Sequence, residues 1–228
     1  MNEQPLTLMH AKTTWESGTG SPDFLVTGKT WGYIDVANIA PTKDVVVYYS
    51  NNDTPWTIAH ATFLASTCNN RETWRFAFTN TTHGDRARLS TEFSVKYEAD
   101  GRVFWDNNNR CNYHTDTGGY GEPELIVLIG SNVFVDQFLI ENGTFTGRII
   151  VKNLAQDKAV KVRYTTDNWT TFNDLDAHFL TANGGHDTWT FSTSVDKNAK
   201  VHFAVCYCVS GQTHWDNNFG QNYYVTAT

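Results

Sequence analysis

The sequence predicts an all-β protein built from two tandem antiparallel β-sandwich modules. Three observations lead there. Apolar and polar residues alternate over short runs, as in Thr188-Trp189-Thr190-Phe191-Ser192 and Val201-His202-Phe203-Ala204-Val205. That is the period of half-buried strands, and Asn, Asp, Gly and Thr punctuate them. No stretch of ten residues carries a helical period. The chain is also internally duplicated, so whatever fold the first half adopts, the second repeats.

The duplication can be followed element by element. Asp35-Val36-Ala37-Asn38-Ile39-Ala40 returns as Ile150-Val151-Lys152-Asn153-Leu154-Ala155. Lys43-Asp44-Val45-Val46-Val47 returns as Lys158-Ala159-Val160-Lys161-Val162, and a loop tryptophan follows each, Trp56 and Trp169. Thr73-Trp74-Arg75-Phe76 matches Thr188-Trp189-Thr190-Phe191, and Phe93 and Tyr97 match Phe203 and Tyr207. The last repeat is Trp105-Asp106-Asn107-Asn108 with Asn112-Tyr113, against Trp215-Asp216-Asn217-Asn218 with Asn222-Tyr223. The offset is 115 from Lys43 to Lys158, 113 from Trp56 to Trp169 and 110 from Trp105 to Trp215. The drift puts small insertions where loops belong. The expected organisation is a first sandwich over 1–115, a turn-rich linker over 116–123 and a second sandwich over 124–228.

Composition narrows the function. A length of 228 residues suits two modules, and 40% hydrophobic residues suffice for packed cores. Fourteen percent of residues are aromatic and 8 are Trp, more than two small cores need, so some aromatic surface is expected to bind something. A net charge of −7 argues against nucleic acid, whose binding rests on Lys and Arg. No basic run suggests a membrane surface, and apolar runs such as Leu125 to Ile129 are far shorter than the ~20 residues of a membrane span. No secretory leader is recognisable, which tilts the expectation toward the cytoplasm. Cys206 and Cys208 share one strand face, which disfavours a disulfide between them. No C-x-x-C pair suggests zinc, and no metal or cofactor is expected.

The repeated motif supplies a binding chemistry. A sugar has a weakly apolar C–H face that stacks on an aromatic ring, and a rim of hydroxyls that both donate and accept. Asn does both on a short side chain. Trp56, Trp105, Asn107 and Asn112 form the candidate site of the first half, and Trp169, Trp215, Asn217 and Asn222 that of the second. Trp74 and Trp189, between threonines on strands, are expected in the cores. Some Asn of each run must also serve as turn formers, because Asn tolerates left-handed backbone. Asp106 and Asp216 are the only acids of the motif, one per half, and are expected to accept backbone N–H bonds rather than hydrolyse glycosides, which takes paired carboxylates. No G-x-S-x-G, H-E-x-x-H or P-loop pattern occurs, so no enzyme is expected.

Asn153 to Arg163, Asp167-Asn168-Trp169 and Trp215 to Tyr223 together resemble the family 21 carbohydrate-binding modules, which bind starch or glycogen in fungal glucoamylase and in glycogen-targeting subunits of protein phosphatase 1. The second half matches over nearly its whole length, the first more loosely. The resemblance implies an immunoglobulin-like sandwich with up to two sugar sites, the first on the residues named above. A further tyrosine of that site falls on Ser94 and Ala204. The second family site uses an aromatic after Asn-x-Ala, where Pro41 and Gln156 stand. Asn38 with Lys43, and Asn153 with Lys158, remain as its polar part. The expected partner is an α-glucan, with another glycan or a larger targeting complex as alternatives. Arg102-Val103-Phe104-Trp105 and Lys200-Val201-His202-Phe203 resemble a phosphatase-docking peptide. Both are expected on internal strands, which disfavours docking.

Overall fold

The computed structural model describes residues 4–18, 25–52, 54–83, 88–119 and 122–227. Asp53 of the first loop, and Tyr120 and Gly121 of the expected linker, lie outside them. The chain divides into two compact units, residues 1–130 and 131–228. Every regular element among the described residues is a strand, and all pairings are antiparallel.

In the first unit the strands are β1 (Leu6–Gly18), β2 (Leu25–Ala37), β3 (Lys43–Asn51), β4 (Thr57–His60), β5 (Thr62–Thr67), β6 (Arg71–His83), β7 (Ser90–Ala99), β8 (Arg102–Asp106), β9 (Tyr113–Asp116) and β10 (Val127–Leu128). One sheet runs β10-β1-β2-β6-β5. The other runs β4-β3-β7-β8, with β9 also on β7. Residues 124–130, which the sequence assigns to the second module, carry β10, and its Leu128 pairs with His10 of β1. Strands β1, β2 and β6 have 13 residues each, longer than the short repeated runs suggest.

In the second unit they are β11 (Val133–Glu141), β12 (Thr144–Lys152), β13 (Lys158–Thr165), β14 (Asn173–Asp176), β15 (His178–Asn183), β16 (His186–Ser194), β17 (Lys200–Val209), β18 (Gln212–Asp216) and β19 (Tyr223–Thr226). The sheets are β11-β12-β16-β15 and β14-β13-β17-β18, with β19 also on β17. Both units are β-sandwiches.

Alternation explains the cores. Val45, Val47, Phe93, Val95 and Tyr97 face inward from one sheet, against Leu6, Leu8, Ile34 and Phe76 of the other. Val160, Val162, Phe203, Val205 and Tyr207 repeat this against Val133, Val135, Ile149 and Phe191. A buried tyrosine hydroxyl pins the sheets together in each: Tyr97 donates to the Ala37 carbonyl at 2.6 Å, Tyr207 to that of Lys152 at 2.7 Å. Trp74 and Trp189 are partly buried and pack against these cores.

The cores differ at one end. In the first, Thr13 Oγ1 meets Thr30 Oγ1 at 2.9 Å and Thr115 Oγ1 at 2.8 Å, and Thr30 meets Thr91 at 2.8 Å. In the second, Ile140 and Phe145 form the matching cross-strand pair, fully buried beside Val201. A buried hydroxyl is tolerated only when bonded, and here threonines bond one another in place of apolar packing.

Candidate functional site

Each Trp-Asp-Asn-Asn motif begins at the end of the last long hairpin strand, β8 or β18. The aspartate turns inward. Asp106 accepts the Leu8 N–H at 2.8 Å and the Tyr113 hydroxyl at 2.6 Å. Asp216 accepts the Val135 N–H at 2.7 Å, the Tyr223 hydroxyl at 2.8 Å and the Asn218 N–H at 3.2 Å. Both therefore tie the loop to the opposite sheet, and their lone pairs are engaged in structural bonds. Burial pushes the Asp216 carboxyl above the ordinary carboxylate range, and the bonds it accepts oppose that rise.

Alternation then forces the neighbouring tryptophan outward. Trp105 is 52% exposed and Trp215 47%. The asparagines shape the loop that follows. Asn108, Asn109, Arg110 and Asn112 have positive φ, as do Asn218, Phe219, Gly220 and Asn222. Asn107 Oδ1 accepts the Arg110 N–H at 3.1 Å, and Asn217 Oδ1 the Gly220 N–H at 2.9 Å. Asn108 and Asn218 donate to the carbonyls of Asn112 and Asn222. The carboxamide oxygens of Asn107 and Asn217 thus cap turns, and their amide N–H groups remain for a ligand. Asn112 donates to Glu92 Oε1 at 2.6 Å. His202 replaces that glutamate across from β19, so no carboxylate holds Asn222 from that position.

Strand register shows what stands beside each tryptophan. In the first unit Trp105 pairs with Lys96, and Tyr48 with Ser94. The Tyr48 ring packs on the Trp105 ring, centroids 5.2 Å apart and tilted 45°. The tyrosine absent at Ser94 is thus matched by one on the adjacent strand. The outward position was legible in Val45-Val46-Val47-Tyr48. In the second unit Arg163 pairs with Ala204 and holds Tyr48's place. Its guanidinium lies 4.3 Å from the Phe172 centroid and 5.6 Å from that of Trp215. Asp174 accepts from it at 2.7 and 2.8 Å.

The same register pairs Trp56 with a different partner than the loop motif suggests. Thr57 pairs with Tyr49, and Asn173 with Tyr164. Trp56 and Phe172 therefore enter β4 and β14 from equivalent positions, with exposures of 49% and 53%. Trp169 sits three residues earlier, half-buried, with φ 68° and its N–H donated to Thr165 Oγ1 at 3.1 Å. The second loop is thus organised differently. Asp167 accepts from the Thr165 hydroxyl and from the N–H and hydroxyl of Thr171, which holds its carboxyl down at about 2.

The second candidate set lies elsewhere in each unit. Lys43 donates to Asn38 at 2.5 Å and pairs with Glu72 at 2.8 Å, with both charged side chains nearly buried. Glu72 also accepts the Trp74 indole N–H at 3.0 Å. Lys158 donates to Asn153 at 2.6 Å and pairs with Asp187. Asp187 is one methylene shorter, and the Trp189 N–H and Asp187 Oδ1 are both buried without a partner. These atoms border an open cleft of about 560 Å³ that Phe179 and Leu154 also line.

One sequence expectation is corrected. Arg102–Trp105 is not on an internal strand: among the described residues β8 closes its sheet, paired with β7 alone, and Val103 is 48% exposed. The tight Asp100-Gly101 turn returns the chain along β7. Lys200–Phe203 does lie inside its sheet, with Val201 and Phe203 fully buried. All four cysteines are free, and Cys68 and Cys111 are both exposed. No group of three or more metal-ligating side chains occurs among the described residues.

A model of the carbohydrate/starch-binding module (family 21) matches residues 24–116 and again 128–226. Protein phosphatase 1 regulatory subunit 3C of Bos taurus is 37% identical over 100 residues, 41% of this chain and 31% of that protein. Subunit 3B-B of Xenopus laevis is 37% identical over 103 residues, 42% and 38% respectively. The chain therefore spans about a third of the length of these relatives. Among solved structures, the starch binding domain of Rhizopus oryzae glucoamylase with β-cyclodextrin and maltoheptaose is 37% identical, with TM-score 0.36, covering 41% of this chain and 91% of that one. The carbohydrate binding module of the muscle glycogen-targeting subunit of protein phosphatase 1 is 27% identical, with TM-score 0.39, covering 43% and 77%.

Proposed function

The chain belongs to the family 21 carbohydrate/starch-binding modules, and from that premise we propose that it is a non-catalytic α-glucan-binding protein with one primary site per module. The observation that carries this reading is the twofold occurrence of an exposed tryptophan at the end of an edge strand, followed by a loop shaped by left-handed residues, in which Asn107 or Asn217 presents its amide. Trp105 with Tyr48, Trp56, Asn107 and Asn112 forms one site. Trp215 with Phe172, Asn217 and Asn222 forms the other, with Trp169 on the adjoining loop. Flat rings and short rigid amides lose little entropy on binding a polyol. Two such sites on one chain raise affinity for a polymer above that of either alone.

The test is Trp105→Ala with Trp215→Ala. Both side chains are half exposed, so the double variant should keep its circular dichroism and lose sedimentation with insoluble starch. Each single variant should lose far more affinity for the polymer than for maltoheptaose. Unfolding of the double variant, or undiminished binding, overturns the assignment.

In the second module, Asn153, Lys158, Asp187 and Trp189 serve as a further polyol contact. Asp187 Oδ1 and the Trp189 N–H, both buried and unpartnered, favour it. Asn38 and Lys43 in the first module are closed by Glu72 and Trp74, and we assign them a structural role.

Phosphatase targeting is a second reading, favoured by the curated relatives and by the position of Arg102-Val103-Phe104-Trp105 on an exposed sheet edge. A phosphatase 1 pull-down that is lost with Val103→Ala supports it, and one that fails with the unaltered chain removes it.

A further inference from the structure

Beyond Asn222 the second module presents a surface that the sugar reading has not used. Lys200 and His202 continue the outward row of β17 that runs through Ala204 and Cys206. His202 pairs with Tyr224 of β19, with ring centroids 4.7 Å apart and a 40° tilt. Tyr224 is 49% exposed. With Thr166, Asp167 and Asn168 these three residues line an open cleft of about 450 Å³, within the size range of small-ligand sites. Trp215 pairs with Cys206 of this row, so it faces the same side of the sheet.

The first module does not repeat this cleft chemistry. Register puts Ser90, Glu92 and His114 at the positions of Lys200, His202 and Tyr224. Glu92 is already bonded to Asn112. A carboxylate therefore occupies the place that an imidazole holds beside the exposed phenol ring of the second module.

We propose that the cleft of His202, Tyr224, Lys200 and Asn168 is an extension subsite that takes the next glucose units of an α-glucan bound at Trp215, making the second module selective for chain length. The proposal rests on the assignment of Trp215 above. The Tyr224 face suits the C–H side of a sugar ring. The Asn168 amide and the Lys200 ammonium supply donors for its hydroxyls. The His202 ring packs against Tyr224 and fixes its orientation.

The experiment uses the full chain carrying Trp105→Ala, so that only the second primary site remains, titrated calorimetrically with maltotriose and maltoheptaose. Maltoheptaose should bind about 10-fold more tightly than maltotriose, the worth of one further stacked ring. Tyr224→Ala should bring that ratio to near one, and Tyr224→Phe should keep it. A ratio unchanged by Tyr224→Ala overturns the subsite. If the Trp105→Ala chain binds neither sugar, the Trp215 assignment has failed and takes the subsite with it. A 10-fold ratio that is lost on Trp215→Ala but not on Tyr224→Ala rejects the subsite alone.

Discussion

The two modules solve the same packing problem with different chemistry, and the differences fall where binding is expected. In the first, Glu72 reaches both Lys43 and the Trp74 indole, so the polar cluster is closed. In the second, the shorter Asp187 reaches Lys158 but leaves one of its own oxygens and the Trp189 N–H without partners. One methylene thus separates a satisfied structural cluster from one with spare valence beside a cleft. Beside the exposed tryptophans of the motif, Tyr48 lies against Trp105 where Arg163 lies near Trp215 and Phe172. A duplicated fold can keep its core and let its two surfaces diverge, because surface changes leave sheet register untouched.

The largest effect should come from removing the buried lysines. Lys158→Met strips the Lys158 ammonium from a nearly buried Asp187, and loss of one member of a buried pair costs about 3–5 kcal/mol. Lys43→Met should cost less by about 1.5 kcal/mol, because Glu72 keeps its bond from Trp74. Hydrogen exchange of β13 and β3 amides in the full chain reads each module separately. Equal losses would mean that the Trp74 bond contributes nothing.

A smaller effect should follow from exchanging the acids. Asp187→Glu lets the carboxylate reach Trp189 and should stabilise the second module by about 1 kcal/mol. It should also weaken any glucan contact made by the two unpartnered atoms. Glu72→Asp should destabilise the first module by a similar amount. If Asp187→Glu stabilises without changing polymer binding, the cluster is structural in both modules and the second contact is not one.

Much of this was legible in the sequence. Alternation and duplication together dictate two sandwiches, and the inward aspartate and outward tryptophan of each motif follow from strand parity. Tyr48 was equally open to parity, since Val45 and Val47 mark the inward face. Phe172 was hidden, because the second loop spends its residues differently and only the pairing of β13 with β14 reveals what occupies Trp56's position. The edge placement of β8 was hidden too: alternation identifies a strand and is silent on how many neighbours it has. The Asp187–Trp189 gap depends on the reach of one side chain, which no pattern encodes.

The smallest effect concerns acid. Asp167 holds the loop of Trp169 and Phe172 through bonds from Thr165 and Thr171. Its carboxyl is depressed from 3.8 to about 2, chiefly by the Thr165 hydroxyl. A depressed acid contributes stability above its unfolded value and loses it as pH falls through the folded one. The second loop should therefore stay ordered above about pH 4 and loosen as pH falls toward 2. Asn52 stands at the matching position of the first module, where its carboxamide accepts the Ser90 N–H at 2.8 Å, and an amide does not titrate in this range. Maltoheptaose titrations of the Trp105→Ala and Trp215→Ala chains between pH 5 and pH 2.5 should thus diverge, with the second site weakening first. Asp167→Asn should narrow that divergence, and what remains belongs to Asp216, whose carboxyl lies above the ordinary range. If the two sites weaken together, the loop is not what positions Phe172, and the contrast between the modules lies in Tyr48 and Arg163 alone.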